Sequence, residues 1–501
     1  MSHTYSPRTL ASIDLGSNSF HLLVAKVNEF GELEKLDSLR ESVRLGEGLT
    51  YDKMLTPEVQ EKALRCLELF RQRIDSLPAD SVRVAGTNTL RRAHNTPEFL
   101  LRAKQALGRP IEVISGHEEA RLIYLGVANG HETTEGKRFV IDIGGGSTEL
   151  ILGEGDELHV IESLELGCVT LSKKYFSDGV LTHDRFERAI TQAKLAIFPV
   201  YYSVAQMGWS HVIGCSGTIK GIRKVIQKQG WSKSGITLEA LHSLRDGMVR
   251  MGHIDELEYK SLKEERKPVL AGGLSALIAL FEIFQIEHMN VSKQALREGL
   301  LYDLIGRLEH KDIRSQSIRS LIERWDVDVP QAHRVAETAE FLFQQVDEDW
   351  GLESPELPQF LQWSALVHEL GLHISHRRYH QHSAYVLTHA DLPGFSFQEQ
   401  TFLAILVLNH RRKFKFLRQK ELPEALVGHA RYLCVLLRLA FVLCRKRLNQ
   451  NPPVVAEGGD NEITLRFPAQ WLNMHPLIRA DLEKESQNLT HSNIQLNLIE
   501  E

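Results

Sequence analysis

Cysteine is scarce in this chain: Cys66, Cys168, Cys215, Cys434 and Cys444 are five among 501 residues, odd in number and without a CxxC spacing. That argues against a disulfide framework or a cysteine-built zinc site and fits reduced core residues of a cytoplasmic protein. No uninterrupted apolar stretch reaches the ~18 residues needed to span a bilayer. The start, Met1 to Arg8, is polar and lacks the apolar core of a signal peptide. Low-complexity tracts and short internal repeats are absent too. Net charge is only −6, so the whole molecule has no general attraction to nucleic acid. What remains, 43% hydrophobic and 25% charged residues, describes a globular chain with ample core. Its length implies roughly three or four domains.

What is present is a signature that occurs twice. Asp14-Leu15-Gly16-Ser17-Asn18-Ser19 and Asp142-Ile143-Gly144-Gly145-Gly146-Ser147-Thr148 lie 128 positions apart, each between two apolar runs. The pattern predicts strand, tight turn, strand. Small turn residues let backbone N–H groups approach an anion, and Ser and Thr hydroxyls add donors. An Asp at each strand end could hold a metal ion or a water against that anion. One such turn is commonplace. Two suggest a duplicated fold gripping a phosphate chain between its halves.

The first part alternates strand and helix patterns. Ser81–Ala85 and Ile111–Ile114 read as strands, with a helix from His117 to about Val127 and helices around Thr182–Met207. Gly214-Cys215-Ser216-Gly217-Thr218 forms a third glycine-bearing turn that opens a helix. This predicts an α/β architecture in two related lobes meeting at a cleft. Past about His310 helical periodicity takes over, through Leu448. Asn451-Pro452-Pro453 marks a loop, and Glu462–Phe467 alternates as a strand. Expected boundaries fall near 130, 309 and 449. Between Arg411 and Arg447 eleven basic residues (Arg411, Arg412, Lys413, Lys415, Arg418, Lys420, Arg431, Arg438, Arg445, Lys446, Arg447) face only Glu421 and Glu424. They make either a solvated face or a groove for a polyanion.

Ser115-Gly116-His117-Glu118-Glu119-Ala120-Arg121 fits a capping box, with Ser115 as N-cap and Glu118 bonding back to the Ser115 N–H. Glu119, about 100° further round, is free to point elsewhere. The helix dipole favours its ionised form, which suits a general base or a water-orienting group. A purely structural Glu pair is the alternative. Arg91, after a strand and its turn, could clamp a transferring phosphoryl group or be a surface arginine. Asp142 and Glu149 lie across a hairpin turn, so both carboxylates could approach one Mg²⁺, with Asp14 adding a third contact. An exposed strand residue is the alternative for Glu149.

These motifs, together with Gly214–Thr218 and Ala295-Leu296-Arg297-Glu298-Gly299, resemble the exopolyphosphatase and guanosine pentaphosphate phosphatase family of the sugar kinase, Hsp70 and actin superfamily. The resemblance runs from about residue 9 almost to the C-terminus. It implies a duplicated actin-like two-lobe fold (1–130 and 131–309), a helical HD-like domain (310–448) and a small α+β C-terminal domain (449–501). It implies Glu119 as the catalytic carboxylate, with Arg91, Ser17, Asn18 and the loop Gly144, Gly145, Gly146, Ser147, Thr148 on phosphate. Asp142 and Glu149 match the metal-linked acids, and Mg²⁺ is the expected cofactor. His333, His368-Glu369 and His380-Gln381-His382-Ser383 stand at HD-like positions. Glu369 replaces the usual Asp, which implies a degraded, non-catalytic HD domain rather than an active metal site. Lys293-Gln294 stands where family members usually carry small or acidic residues.

The expected function is an exopolyphosphatase releasing terminal phosphate from inorganic polyphosphate, with the basic stretch retaining the polymer. The alternative is a hydrolase of guanosine pentaphosphate that yields the tetraphosphate. Gly146, Thr218-Ile219-Lys220 and the acidic C-terminal end lean toward polyphosphate. Two other classes remain open: an ATP-binding kinase or chaperone of the actin fold, and a non-catalytic polyphosphate-binding regulator. A homodimer, in the cytoplasm and with a peripheral contact at the inner face of the cell membrane, completes the expectation.

Overall fold

The computed structural model describes residues 8–28, 32–130, 135–309, 312–414, 416, 418, 421–422, 424–447 and 452–501; for 424 and 425 it describes the backbone only. Two compact units result, Met1–Lys311 and Asp312–Glu501.

The first unit contains two five-stranded sheets of one topology. Strands β1 (Arg8–Leu15), β2 (Phe20–Val27), β3 (Leu33–Glu41), β4 (Val82–Gly86) and β5 (Glu112–Val113) run in the order β3-β2-β1-β4-β5. Strands β6 (Arg138–Ile143), β7 (Thr148–Glu154), β8 (Glu157–Leu164), β9 (His211–Gly214) and β10 (Asn290–Val291) run β8-β7-β6-β9-β10. In each sheet three strands form an antiparallel meander, and a fourth joins the first in parallel. The repeated signature therefore marks a repeated sheet, and the fold is the duplicated actin-like one. The middle strands β1 and β6 are apolar on both faces because helices cover both. Near the end of each, the one position not fully enclosed is the penultimate residue, Asp14 or Asp142.

The helices of this unit are α1 (Pro57–Ile74), α2 (Asn88–Arg92), α3 (Thr96–Leu107), α4 (Gly116–Gly130), α5 (Cys168–Tyr175), α6 (His183–Ala205), α7 (Gly217–Lys228), α8 (Leu238–Met251), α9 (Lys267–Phe284) and α10 (Leu296–Leu308). Thr182 and Ser216 cap α6 and α7, their hydroxyls accepting the N–H of Arg185 and Ile219. Two helices cross between the lobes. The first, α4, leaves β5 and packs on the second sheet beside Val140, Ile151 and Ile213. The second, α10, follows β10 and packs on the first sheet against Leu10, Leu23, Ala25 and Val27. They touch at Gly126 and Gly299, where a Cβ would sit 2.1 Å from the Ala295 oxygen and 1.8 Å from the Leu122 oxygen. Only glycine admits that approach.

The second unit comprises α11 (Ile313–Arg324), α12 (Val329–Val346), α13 (Leu357–Val367), α14 (Tyr379–His389), α15 (Phe397–Asn409) and α16 (Glu424–Leu443). It continues with β11 (Val455–Gly459), β12 (Glu462–Phe467), α17 (Trp471–Met474), α18 (Pro476–Thr490) and β13 (Gln495–Glu500). The expected boundary near 449, and Asn451 of the expected loop, lie outside the described residues. Ile463, Leu465, Phe467, Ile478 and Leu482 share one apolar core with the helices before them. By length and composition, Glu264–Phe284 and Leu426–Leu443 could each cross a membrane. However, 78% and 61% of those windows are buried inside the protein, so core packing already occupies most of their surface.

Six of the eleven residues of the basic stretch meet local partners, while Arg412, Lys413 and Lys446 are exposed. Arg438 is fully buried against Glu485, and Arg418, Arg445 and Arg447 pair with Glu421, Asp481 and Asp328. Arg431 bonds Asn461 and the Asn493 carbonyl, and Arg411 lies 4.4 Å over the Tyr379 ring. Lys415 and Lys420 lie outside the described residues. Arg447 also holds both oxygens of Glu369 at 2.9 and 3.0 Å, so a guanidinium occupies the carboxylate at the HD-like position. His368 is buried, with Nδ1 2.6 Å from the Ala365 oxygen, while His333 is exposed.

Candidate active site

A cleft of about 440 Å³ opens between the two sheets of the first unit. Both hairpin turns end in it for a backbone reason. A Cβ on Gly16 would lie 3.0 Å from the Ser19 carbonyl, and one on Gly144 would lie 3.1 Å from the Ser147 carbonyl. The two turns thus fold back equally tightly, with the tip of one against the other: a Cβ on Gly145 would be 3.1 Å from Ser17 Cβ.

Neighbouring segments hold the turns' carbonyls. Cys168 and Val169 at the start of α5 donate to the Gly144 and Gly145 oxygens at 3.0 and 2.9 Å, while Gly46 and Arg44 donate to those of Ser17 and Asn18 at 2.7 and 2.9 Å. A trans peptide directs its N–H opposite its C=O. The N–H groups of Asn18 and Gly145 therefore turn toward the cleft that both residues line, and neither meets an acceptor among the described residues. Such paired donors form an anion cradle. Ser17, Asn18, Gly144, Gly145 and Ser147 line the cleft. Gly146 and Thr148 serve it from behind. Gly146 leaves room for Asn88, whose Oδ1 would be 2.3 Å from a Cβ there, and the fully buried Thr148 donates its hydroxyl to the Leu166 carbonyl.

Four carboxylates gather at the hairpin ends. Asp142 pairs across the hairpin with Glu149, while the matching partner of Asp14 is His21. Asp14, Asp142 and Glu119 line the cleft; Glu149 is buried behind it and accepts from the Ser163 hydroxyl at 3.0 Å. Burial, reinforced by Glu119, pushes Asp14 up to about 8. Burial likewise pushes Asp142 up to about 6, against the thiol of Cys215, which donates to its Oδ2 at 3.2 Å. Burial and then Glu119 and Asp142 raise Glu149 well above the usual carboxylate range. Among the described residues Asp14 Oδ1 has no hydrogen-bond partner. A crowd of buried, mutually repelling carboxylates calls for a cation.

Glu119 sits in the first turn of α4. Ser115 Oγ accepts the Glu118 N–H at 3.0 Å, as the capping pattern predicts. The Glu118 carboxylate, however, is committed through both oxygens to Arg121, each at 2.8 Å. Glu119 points the other way, and its Oε2 accepts from Arg91 Nη1 at 2.7 Å. Arg91 also donates to the Ile114 carbonyl at 3.0 Å, which fixes the guanidinium beside the acid.

Cations from both lobes also line the cleft, and sequence reasoning did not find them. Arg40, Lys220, Lys224, Lys263, Arg266 and Arg297 line the cleft together with His21. Arg266 lies against the first turn of α7, where a Cβ on Gly217 would be 2.2 Å from its Nη2. Arg40 contacts Glu265 at 3.0 Å and Ser19 Oγ at 3.2 Å, and Lys220 donates to the Lys293 carbonyl at 2.8 Å. Burial lowers Lys220 and Arg266 from their ordinary values, and burial with the nearby cations pushes His21 down to about 3. Lys220 and Arg297 belong to motifs visible in the sequence. Arg40, Lys263 and Arg266 sit in segments with no local signal.

Residues 23–308 match the Ppx/GppA phosphatase family, and residues 313–486 match Ppx/GppA phosphatase, domain III. The chain is 38% identical over 481 residues, 96% of each chain, to a guanosine-5'-triphosphate,3'-diphosphate pyrophosphatase of Photobacterium profundum. It is similar to the solved structure of the Aquifex aeolicus PPX-GPPA enzyme, with 27% identity and a TM-score of 0.51 over 59% of this chain and 99% of that one. An exopolyphosphatase from Cytophaga hutchinsonii shows 25% identity and a TM-score of 0.55 over 60% and 98%.

Proposed function

The chain belongs to the Ppx/GppA phosphatase family and is a phosphoanhydride hydrolase, and from that premise we propose that it cuts guanosine pentaphosphate to the tetraphosphate, releasing orthophosphate. This replaces the sequence-level leaning toward inorganic polyphosphate. The relative matched along 96% of both chains is named for the nucleotide. The observation that carries the reading is the placement of positive charge. Arg418, Arg438, Arg445 and Arg447, expected to hold a polymer, are paired with carboxylates, whereas six cations line the cleft alongside the acids. A compact substrate with two phosphate chains on one ribose suits that lining.

In this mechanism Glu119 accepts a proton from water as its oxygen attacks the terminal phosphorus in line. The bond from that phosphorus to the bridging oxygen breaks, and the oxygen departs with the remaining diphosphate. Arg91 orients Glu119 and offers its fork to the transferring group. The N–H groups of Asn18 and Gly145 receive phosphate oxygens, and the cations lining the cleft neutralise the chains.

Magnesium fits the donor set. The donors are hard carboxylate oxygens, one of them, in Asp14, without a hydrogen-bond partner among the described residues. Among the described residues no three His, Cys, Asp or Glu side chains form a ready metal cage. That is how Mg²⁺ is usually held, by one or two carboxylates plus substrate phosphates. Asp14 and Asp142 would hold it from the two lobes, with Glu149 behind, and the bound ion would offset charge on the phosphate oxygens.

A pH dependence follows. With its carboxyl raised from 3.8 to about 8, folded Asp14 keeps a proton that the unfolded chain releases. Its contribution to stability therefore falls as pH rises from about 4 to about 8. Mg²⁺ needs the ionised form, so it should raise Tm by several degrees more at about pH 8.5 than at about pH 6. Equal shifts at both values would remove Asp14 from the site.

The substrate is tested by measuring phosphate release from guanosine pentaphosphate and from long-chain polyphosphate in parallel. The expected kcat/KM for the nucleotide exceeds that for the polymer by about 10-fold or more, some 1.4 kcal/mol in transition-state binding. Preference for the polymer would restore the exopolyphosphatase reading.

A further inference from the structure

Behind Glu119, and out of reach of the cleft, lies a chain of buried charges. Arg121 grips Glu118 through two bonds of 2.8 Å and donates its Nη2 to Asp303 Oδ1 on α10. Asp303 Oδ2 accepts from Arg83 of β4, and from Arg307 at 3.1 Å. Arg83 in turn lies 3.8 Å from Glu118 and donates to Glu112 at 3.1 Å. Arg83, Glu118, Arg121 and Asp303 are all buried, at 2, 1, 7 and 6% exposure. At that burial bulk solvent screens these contacts little, and each orientation is held by several partners. Burying so many charges contributes little net stability, but it specifies one geometry.

That geometry converges on the turn that presents the acid. Glu118 and Arg121 both belong to α4, so their pair stiffens its first turn, while the bond from Arg121 to Asp303 of α10 and the approach of Arg83 of β4 to Glu118 set the rotation of α4 where Glu119 emerges. The tie comes from α10, and the same helix delivers Arg297 to the cleft near its other end. Close approach of α4 and α10 at Gly126 and Gly299 leaves little room for the two to slide.

We infer that Arg121 and Asp303 are positioning residues for the hydrolysis: by tying the first turns of α4 to α10, they set the direction in which Glu119 meets the attacking water. The inference rests on Glu119 being the group that takes the water's proton. Neither residue touches substrate. A displacement of about 1 Å in a reacting group costs on the order of 100-fold in rate.

The test measures kcat, KM and the pH profile of kcat for Asp303→Asn, Arg121→Lys, Arg307→Ala and Glu119→Gln, each confirmed folded by circular dichroism and by its Tm. Asp303→Asn keeps the shape and loses the charge. Arg121→Lys keeps the charge and loses the fork, and it carries the test if Asp303→Asn does not fold. The expected result is a loss of about 10- to 100-fold in kcat for both, with KM nearly unchanged and a displaced acidic limb. Arg307→Ala, which reaches Asp303 from the side away from Glu118, should lower Tm while kcat stays at the wild-type value. Wild-type kcat in folded Asp303→Asn and Arg121→Lys, alongside an inactive Glu119→Gln, overturns the positioning role and leaves the Glu119 reading intact. An equal loss in Arg307→Ala also overturns it, since a general loosening of the fold would then suffice. An active Glu119→Gln would instead bring down the reading beneath it.

Discussion

Glu119→Gln is expected to lose about 1,000-fold in kcat, because it keeps the size and reach of the side chain but cannot accept the proton of the attacking water. The cleft should otherwise survive. Arg91 loses its anionic partner at 2.7 Å but keeps its bond to the Ile114 carbonyl, so the guanidinium stays in place. Freed of the acid, it should favour phosphate, and KM should hold or fall. A fall in kcat with KM preserved identifies a group acting in the transition state rather than in ground-state binding. Steady-state phosphate release on guanosine pentaphosphate, with nucleotide binding measured separately by calorimetry, checks both parts. A loss below about 10-fold would mean that another base serves, or that departure of the diphosphate needs no proton abstraction beforehand.

In the second unit the largest effect belongs to Arg438. Its guanidinium is fully buried over the Phe414 ring, donates to both oxygens of Glu485 and to the carbonyls of Asn409 and Arg412, and leaves no donor facing solvent. Arg438→Met removes the only cation paired with Glu485 among the described residues and leaves Asn488, 3.1 Å from Oε2, as a neutral partner. An uncompensated buried charge costs about 3–5 kcal/mol. In a unit of this size that lowers Tm by about 10 °C. The double variant Arg438→Met with Glu485→Leu should recover much of the loss, because a hydrophobic pair of similar volume often replaces a buried ion pair at little cost. Thermal unfolding of the three proteins decides it. If Arg438→Met left Tm alone and selectively impaired turnover of long polyphosphate, the arginine would be handling polymer and the basic stretch would regain that role.

Arg438 also shows where reading the sequence falls short. Counted with its neighbours it looks like one of eleven cations on a surface, yet it sits between Leu437 and Leu439 in the apolar run of α16. A lone arginine in such a run is more often a buried, paired one. Its partner, Glu485, lies on α18, far along the chain, and nothing local announces it. Glu118 is a milder case. The capping pattern correctly placed its N–H on Ser115, but the ion pair with Arg121 and the link to Asp303 needed α10 to be in place.

The sequence by itself determined the hairpins, the strands on either side of them and the helix cap at Ser115. These depend on residues a few positions apart, whose steric and hydrogen-bonding preferences act within one turn or strand. Tertiary structure alone decided which charges meet. It set Arg418, Arg438, Arg445 and Arg447 against carboxylates of their own unit, gathered Arg40, Lys263 and Arg266 with Lys220 and Arg297 around one cleft, and placed Thr148 and Glu149 behind the cleft rather than on it. Electrostatic energy depends on distance and burial, and neither can be read from spacing along a chain that folds back on itself.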